Sequence, residues 1–469
     1  MMTKEEKKRH LILEDKNIYK GLIILALPIM LNNFIKTIQS VIDMYFVSDI
    51  PDYATQAISA ISLTFPVNFT FISLGIGLSA AGTALMSQLI GANKKEDAKQ
   101  YAGNLLLIAL IVGILLNIFS YFMSPTIMKL MGTEGYVLEH SSKYLRIRSF
   151  ELPFVFMFYA FVAIRQSSGD TVTAVLYGII TVIINIVLSP ILITNYGLGV
   201  SGAAYATMAA NVVIVPAMIY LLFFAKTGIT VSFKYLKAKS EVMHDIIHRA
   251  LPASIGQSIT AIGFIIMNAM IVTYSDQTVA AFSVGNRINS LILMPVMATG
   301  GILATYIGQN IGANQPQRAR QAFKSALIFT ISIMLVGAPI IMYFRAPLIN
   351  IFLEDDPVAA KQAYTYMFYI LTGLPMMAVF QTFLGTFNGS GNTRYTFVIS
   401  VTRLWLLRIP LILIFSNFTN LDQLGIWIAM LLSNVLVSIP GYIMYKKIDF
   451  EPVVNTRKQK VLEEDLRSV

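Results

Sequence analysis

The sequence contains no cysteine. Disulfide staples, thiolate metal sites and cysteine nucleophiles are therefore excluded, and the redox state of the compartment leaves no mark on the chain. Charge is also scarce. Asp, Glu, Lys and Arg make up 13% of the 469 residues, where soluble domains carry about 25%. No G-x-x-x-x-G-K-[ST] stretch occurs, which removes the P-loop route to ATP. The first seventeen residues, MMTKEEKKRHLILEDKN, lack the apolar core and small-residue cleavage site of a signal peptide. The first span itself is expected to direct insertion.

Apolar length is what the chain has in plenty. Hydrophobic residues reach 56%, and the mean hydropathy is +0.66. Runs long enough to cross a bilayer occur at about 21–47, 58–88, 102–124, 143–164, 172–194, 200–224, 250–275, 280–308, 322–344, 362–387, 396–416 and 424–445. They are continuous rather than alternating, which argues against a β-barrel. The fold class is thus an all-α polytopic membrane protein with twelve transmembrane helices.

The chain repeats itself. QLIGANKKEDAKQ (88–100) matches QNIGANQPQRARQ (309–321), and SPTIMKLM (124–131) answers APLINIFL (346–353). SSGDT (167–171) answers GSGNT (389–393), and ALP recurs at 26–28 and 250–252. A near-constant offset across both halves signals internal duplication. Six spans per repeat keep both halves in one orientation. That places a pseudo-twofold axis along the membrane normal, with a shared cavity between two lobes and alternating access to it. The expected divisions are a tail at 1–17, an N-lobe at 18–224, a linker at 225–249, a C-lobe at 250–446 and a tail at 447–469.

The net charge of +10 raises the question of nucleic acid. The basic residues instead sit in short loops and tails, with no groove-like patch, so nucleic acid is not an expected partner; anionic lipid headgroups are. Most of the 35 Lys and Arg fall on the side of the tails and of the loops after even-numbered spans, among them Lys94, Lys95, Lys99, Lys234, Lys237, Lys239, Arg318 and Arg320. The positive-inside rule then places both termini in the cytoplasm, and the plasma membrane is the expected location.

The expensive residues are those left inside the spans. Asn32, Lys36, Gln39 and Asp43 are spaced four, three and four apart, which puts them on one helix face. Asp43 reads as the only acid deep in any predicted span. Intramembrane ionisable groups are functional by default. Low dielectric favours a neutral carboxyl group and a nearby cation favours the charged one. A group poised between them can take up a proton on one side and release it on the other. The competing reading is that Lys36 and Asp43 only neutralise each other. In span 5, Asn185 and Ser189 share a face, as do Thr207 and Asn211 in span 6. Pro28 removes a backbone hydrogen bond early in span 1, making it a hinge candidate or a static kink.

Several of these stretches, taken together, resemble a known family. They are ALP…D in span 1, GIGLSAAGTALMSQLIGANKKEDA at the end of span 2, the SGDT and GSGNT turns, and INIVLSPILI and GVSGAAYAT in spans 5 and 6. The chain over about 18–446 resembles the multidrug and toxic compound extrusion (MATE) family. The resemblance implies a V-shaped pair of lobes. It also implies secondary active efflux of amphipathic, often cationic compounds in exchange for protons or sodium. It assigns ion coupling to Asp43, Asn185 and Thr207. Ser189 stands where many members carry a second Asp, and spans 7 and 10 lack the acids that other members use. That departure favours protons as the coupling ion, driven by the proton-motive force with no cofactor, and keeps sodium open.

The C-lobe drops the acid and carries Arg287, Arg403 and Arg408 in its spans. Asn32, Lys36, Gln39, Asn211, Gln257, Asn268 and Arg287 are the expected cavity contacts for small organic substrates. The arginines equally suit a flippase for a lipid-linked precursor, the alternative function, or mere interface anchoring. HDIIH (244–248) has two histidines one turn apart, but Asp245 stands where the zinc-protease helix needs Glu. No metal site and no enzyme activity are expected, and the monomer is expected to suffice.

Overall fold

The structure is a computed structural model that describes residues 4–48, 54–224 and 229–454. A short helix, α1 (Lys4–Leu13), precedes the spans. The N-lobe follows as α2 (Ile18–Ser48), α3 (Ala54–Gly91), α4 (Lys95–Leu130), α5 (Gly135–Ser149), α6 (Leu152–Ser167), α7 (Thr171–Pro190) and α8 (Gly199–Phe224). The C-lobe holds α9 (Ser240–Val272), α10 (Asp276–Gly312), α11 (Pro316–Leu353), α12 (Pro357–Gly389), α13 (Thr393–Val401), α14 (Ile409–Phe418), α15 (Gln423–Leu436) and α16 (Ser438–Lys446). Among the described residues, eleven spans are long and apolar enough to cross a membrane, and a bent pair completes the twelfth. The protein is a multi-pass membrane protein of twelve helices in two six-helix lobes.

The bent pair corrects one expectation. The sequence predicts a single span at 143–164, whereas α5 and α6 meet at 49° with the break at Phe150–Glu151. Pro153, in the first turn of α6, has no N–H to give to the turn before it, so the helix restarts there. Pro28, by contrast, lies inside an unbroken α2. Two stretches are π-helical, Ile191–Asn195 after α7 and Thr402–Arg408 between α13 and α14. They belong to spans 5 and 11, which correspond under the repeat.

The duplication is visible in backbone geometry. Asn93 and Asn314 end α3 and α10 with φ of 58° and 56°. The same bonds surround each: Lys94 N–H donates to Leu89 C=O and Gln315 N–H to Asn310 C=O, both at 2.8 Å. Asparagine tolerates this left-handed conformation better than most residues, which is why the paired GAN motifs stop two long helices in the same way.

At this face, which also carries the termini, the lobes touch closely. A Cβ on Gly91 would stand 2.0 Å from the Gln309 carbonyl oxygen, and one on Gly312 would stand 1.9 Å from that of Gln88. Only glycine permits such an approach. Polar bonds cross the same seam: Gln309 Nε2 donates to Ser167 C=O at 2.6 Å and Gln166 Nε2 to Gly301 C=O at 2.9 Å.

α1 straps the seam from below. Lys8 pairs with Asp170 at 2.7 Å and Arg9 donates to Asn93 at 3.0 Å, both in the N-lobe. On the C-lobe side, Tyr306 donates to Leu11 C=O at 3.1 Å and Arg318 to Asp15 C=O at 2.6 Å. Ile12 is fully buried between them. Burial alone would push the Asp170 carboxyl up. The hydrogen bonds from Lys8 and Thr173 and the charges of Lys8 and Arg165 outweigh burial and hold it below its ordinary value of 3.8.

Candidate functional site

A cavity of about 240 Å³ opens inside the N-lobe. Its polar lining comes from four spans: Lys36 and Gln39 from α2, Arg148 and Glu151 from the α5–α6 break, Asn185 from α7, and Thr207 and Asn211 from α8. Phe158, Tyr159 and Val155 supply apolar walls, so the site joins a few oriented polar groups to a hydrophobic surface, as small-molecule sites do.

One hydrogen-bonded chain runs through these residues. Gln39 Nε2 donates to Asn185 Oδ1 at 2.7 Å. Asn185 Nδ2 donates to Thr207 Oγ1 at 3.2 Å, and that hydroxyl donates to Ala203 C=O at 3.0 Å. One turn along α8, Asn211 Nδ2 donates both to Thr207 C=O and to Glu151 Oε2, each at 3.1 Å. Glu151 in turn pairs with Arg148, whose Nε donates to Oε1 at 2.9 Å. Arg148 also reaches the Tyr144 hydroxyl at 3.4 Å. The chain links spans 1, 5, 6 and 4 in that order.

Glu151 overturns the reading of Asp43 as the only acid inside a span. It is 2% exposed, and its charge is matched by Arg148. Burying either ion alone is far costlier than burying the pair. Arg148, its partner, lines the same cavity. The spacing Arg148-x-x-Glu151, an i, i+3 pair, was the available signal.

The remaining sequence candidates fall as follows. Asp43 sits on α2 one turn past Gln39; its carboxylate lies outside the described residues. Ser189 is buried one turn beyond Asn185. Asn32 packs against α7, its Oδ1 2.5 Å from where a Cβ on Gly178 would stand. Gln257, Asn268 and Arg287 do not line the N-lobe cavity, and Asn268 and Arg287 are exposed. In HDIIH, Asp245 accepts from Tyr101 at 2.8 Å and pairs with Arg249. Among the described residues no group of three His, Asp or Glu side chains is placed to hold a metal.

Two of the three arginines in the C-lobe spans are buried: Arg403 is 5% exposed and Arg408 2%. Arg408 donates to Ser433 Oγ at 2.9 Å and to Asn434 Oδ1 at 2.8 Å. Arg403 reaches the same Asn434 oxygen at 3.5 Å and lies over the Phe380 ring at 4.3 Å. No acid among the described residues pairs with either. Both guanidinium groups meet at one amide oxygen, and like charges brought together in a buried place repel.

Duplicated lobes in close contact and a polar cavity inside one of them suit a membrane transporter. The chain belongs to the MatE family: that family's profile matches residues 28–191 and 252–414. It is 26% identical over 421 residues to "Probable multidrug resistance protein YoeA" of Bacillus subtilis (strain 168), covering 88% of this chain and 90% of that one. It is 28% identical over 422 residues to "FAD transporter" of Shewanella oneidensis, covering 89% and 92%. Among solved structures, "Outward-facing conformation of a multidrug resistance MATE family transporter of the MOP superfamily" superposes with a TM-score of 0.87 at 24% identity, covering 95% of this chain and 98% of that one.

Proposed function

We propose that the protein is a multidrug efflux antiporter. It exports amphipathic, often cationic organic compounds in exchange for protons, from the plasma membrane, as a monomer with both termini in the cytoplasm. The observation that carries this reading is the bonded chain Gln39–Asn185–Thr207–Asn211–Glu151 around the N-lobe cavity. With Glu151 committed to Arg148, Asp43 on α2 is the carboxylate left to exchange a proton. The same commitment argues against sodium, which would be better held by two available carboxylates. Lys36, in the same cavity, tunes Asp43 through its charge.

With the termini in the cytoplasm, the contacts of Gly91 with Gln309 and of Gly312 with Gln88 close the cavity on that side. Proton binding at Asp43 and substrate binding then favour different lobe arrangements, which is what couples their movements. The energy source is the proton gradient; no cofactor, nucleic acid or catalytic step is required. The flippase reading draws on one observation, the buried arginines of the C-lobe.

Reconstituted proteoliposomes carrying a fluorescent organic cation test the reading. Export driven by a pH gradient and lost in Asp43→Asn is expected. Export driven by sodium alone overturns proton coupling, and lipid movement without drug transport favours the flippase.

A further inference from the structure

An acid that one position of the repeat carries in the N-lobe is missing from the C-lobe. Shifted by 222 residues, Tyr144 corresponds to Tyr366, Glu151 to Gly373, and Leu152–Pro153 to Leu374–Pro375. Asn211–Val212 corresponds to Asn434–Val435 one residue further on. In the N-lobe this set is saturated: Glu151 accepts from Arg148 and Asn211, and the Tyr144 hydroxyl meets Arg148.

In the C-lobe the acid and its arginine are both gone, Ile370 standing where Arg148 does; Tyr366 and Asn434 remain, and Arg403 and Arg408 come in from span 11. A Cβ on Gly373 would stand 3.6 Å from Asn434 Nδ2 and 3.2 Å from Leu431. Asn434 is 3% exposed; its oxygen is taken by both arginines, and its Nδ2 donates to no group among the described residues. The Tyr366 hydroxyl and Arg403 Nε are buried without a hydrogen-bond partner. Arg408 is close enough to act electrostatically on Tyr366. Unpaired buried donors and two neighbouring cations with no counter-charge are costly, and an anion satisfies them together.

We propose that the C-lobe binds an anion where the N-lobe holds the Glu151 carboxylate, with Arg403, Arg408, Asn434 and Tyr366 as donors. The ligand chemistry is a compact oxyanion or halide. It is supplied either as a free inorganic ion or as the carboxylate or phosphate of a transported compound. The guanidinium fork suits both. The inference stands apart from the coupling ion: it uses none of the N-lobe residues as ligands.

The test is thermal unfolding of the full chain in lipid nanodiscs, in sodium gluconate at constant ionic strength, titrated with chloride and separately with benzoate. A saturable rise of at least ~2 °C in the midpoint is expected. A chloride response identifies a free ion; a response to benzoate alone identifies the anionic group of a substrate. Arg403→Gln and Arg408→Gln should remove the response. Gly373→Glu, which supplies a tethered carboxylate, should make the midpoint independent of both anions. A wild-type midpoint that is flat in chloride and in benzoate overturns the site, as does a response that survives in both arginine variants.

Discussion

Asn211 donates to the Glu151 carboxylate and to the Thr207 carbonyl, each at 3.1 Å. Through this one amide the ion pair at the α5–α6 break is tied to the hydroxyl and amide groups of spans 1, 5 and 6. The cavity is therefore one connected polar unit, and its parts should fail together.

The ion pair gives the largest expected effect. Glu151→Gln leaves Arg148 buried without its counter-charge, which should cost about 3–5 kcal/mol. Replacing both residues, Arg148→Met with Glu151→Leu, should restore most of the stability while transport stays impaired. Denaturant unfolding of the three proteins in micelles checks this. A double variant no more stable than Glu151→Gln would show that the pair is not the unit.

Asn185 bridges Gln39 and Thr207. Asn185→Ala should remove about 1–3 kcal/mol of stability by stranding a buried partner. It should also lower transport at saturating substrate more than it weakens substrate binding. Binding titrations alongside initial export rates separate the two; equal losses in both would assign Asn185 to substrate contact alone.

The glycine seam controls lobe closure. Gly312→Ala puts a methyl group 1.9 Å from the Gln88 carbonyl oxygen, so the lobes must part there. Spin labels on the terminus-bearing face of each lobe should report a longer mean distance than in the parent protein. An unchanged distance distribution would mean that the helices absorb the methyl without opening.

The α1 strap should ignore physiological acidification. Asp170 is held below 3.8 by Lys8 and Arg165 despite its burial. A depressed carboxyl contributes stability above its unfolded value, about 3.9, and loses it only as pH falls through the lower folded value. Hydrogen exchange of residues 4–13, corrected for intrinsic rates, should therefore match at pH 7.5 and pH 5.5. Faster exchange at pH 5.5 would make the strap a pH switch. Lys8→Ala should raise exchange at both values.

Much of the architecture was legible because bilayer crossing and duplication leave coarse marks: twelve apolar runs, and GAN motifs that reappear as Asn93 and Asn314 with matching φ. The site was legible in part. Asn185, Thr207, Asn211, Gln39 and Lys36 do line one cavity. Glu151 was hidden because an apolar run drawn straight through 143–164 conceals the break at Phe150–Glu151. Arg287 is exposed, whereas Arg403 and Arg408 are buried. Periodicity alone cannot say which side of a span faces protein. Aligning the halves residue by residue, Glu151 with Gly373, would have exposed both the acid and its loss.

In the proposed mechanism Asp43 exchanges the coupling proton while Glu151 stays paired with Arg148. The most direct measurement is proton release when a cationic substrate binds to the purified protein, read by calorimetry in buffers of different ionisation enthalpy. Wild type should release close to one proton per substrate, Asp43→Asn none, with substrate still bound. Undiminished release from Asp43→Asn would contradict the account and move the coupling proton to another group.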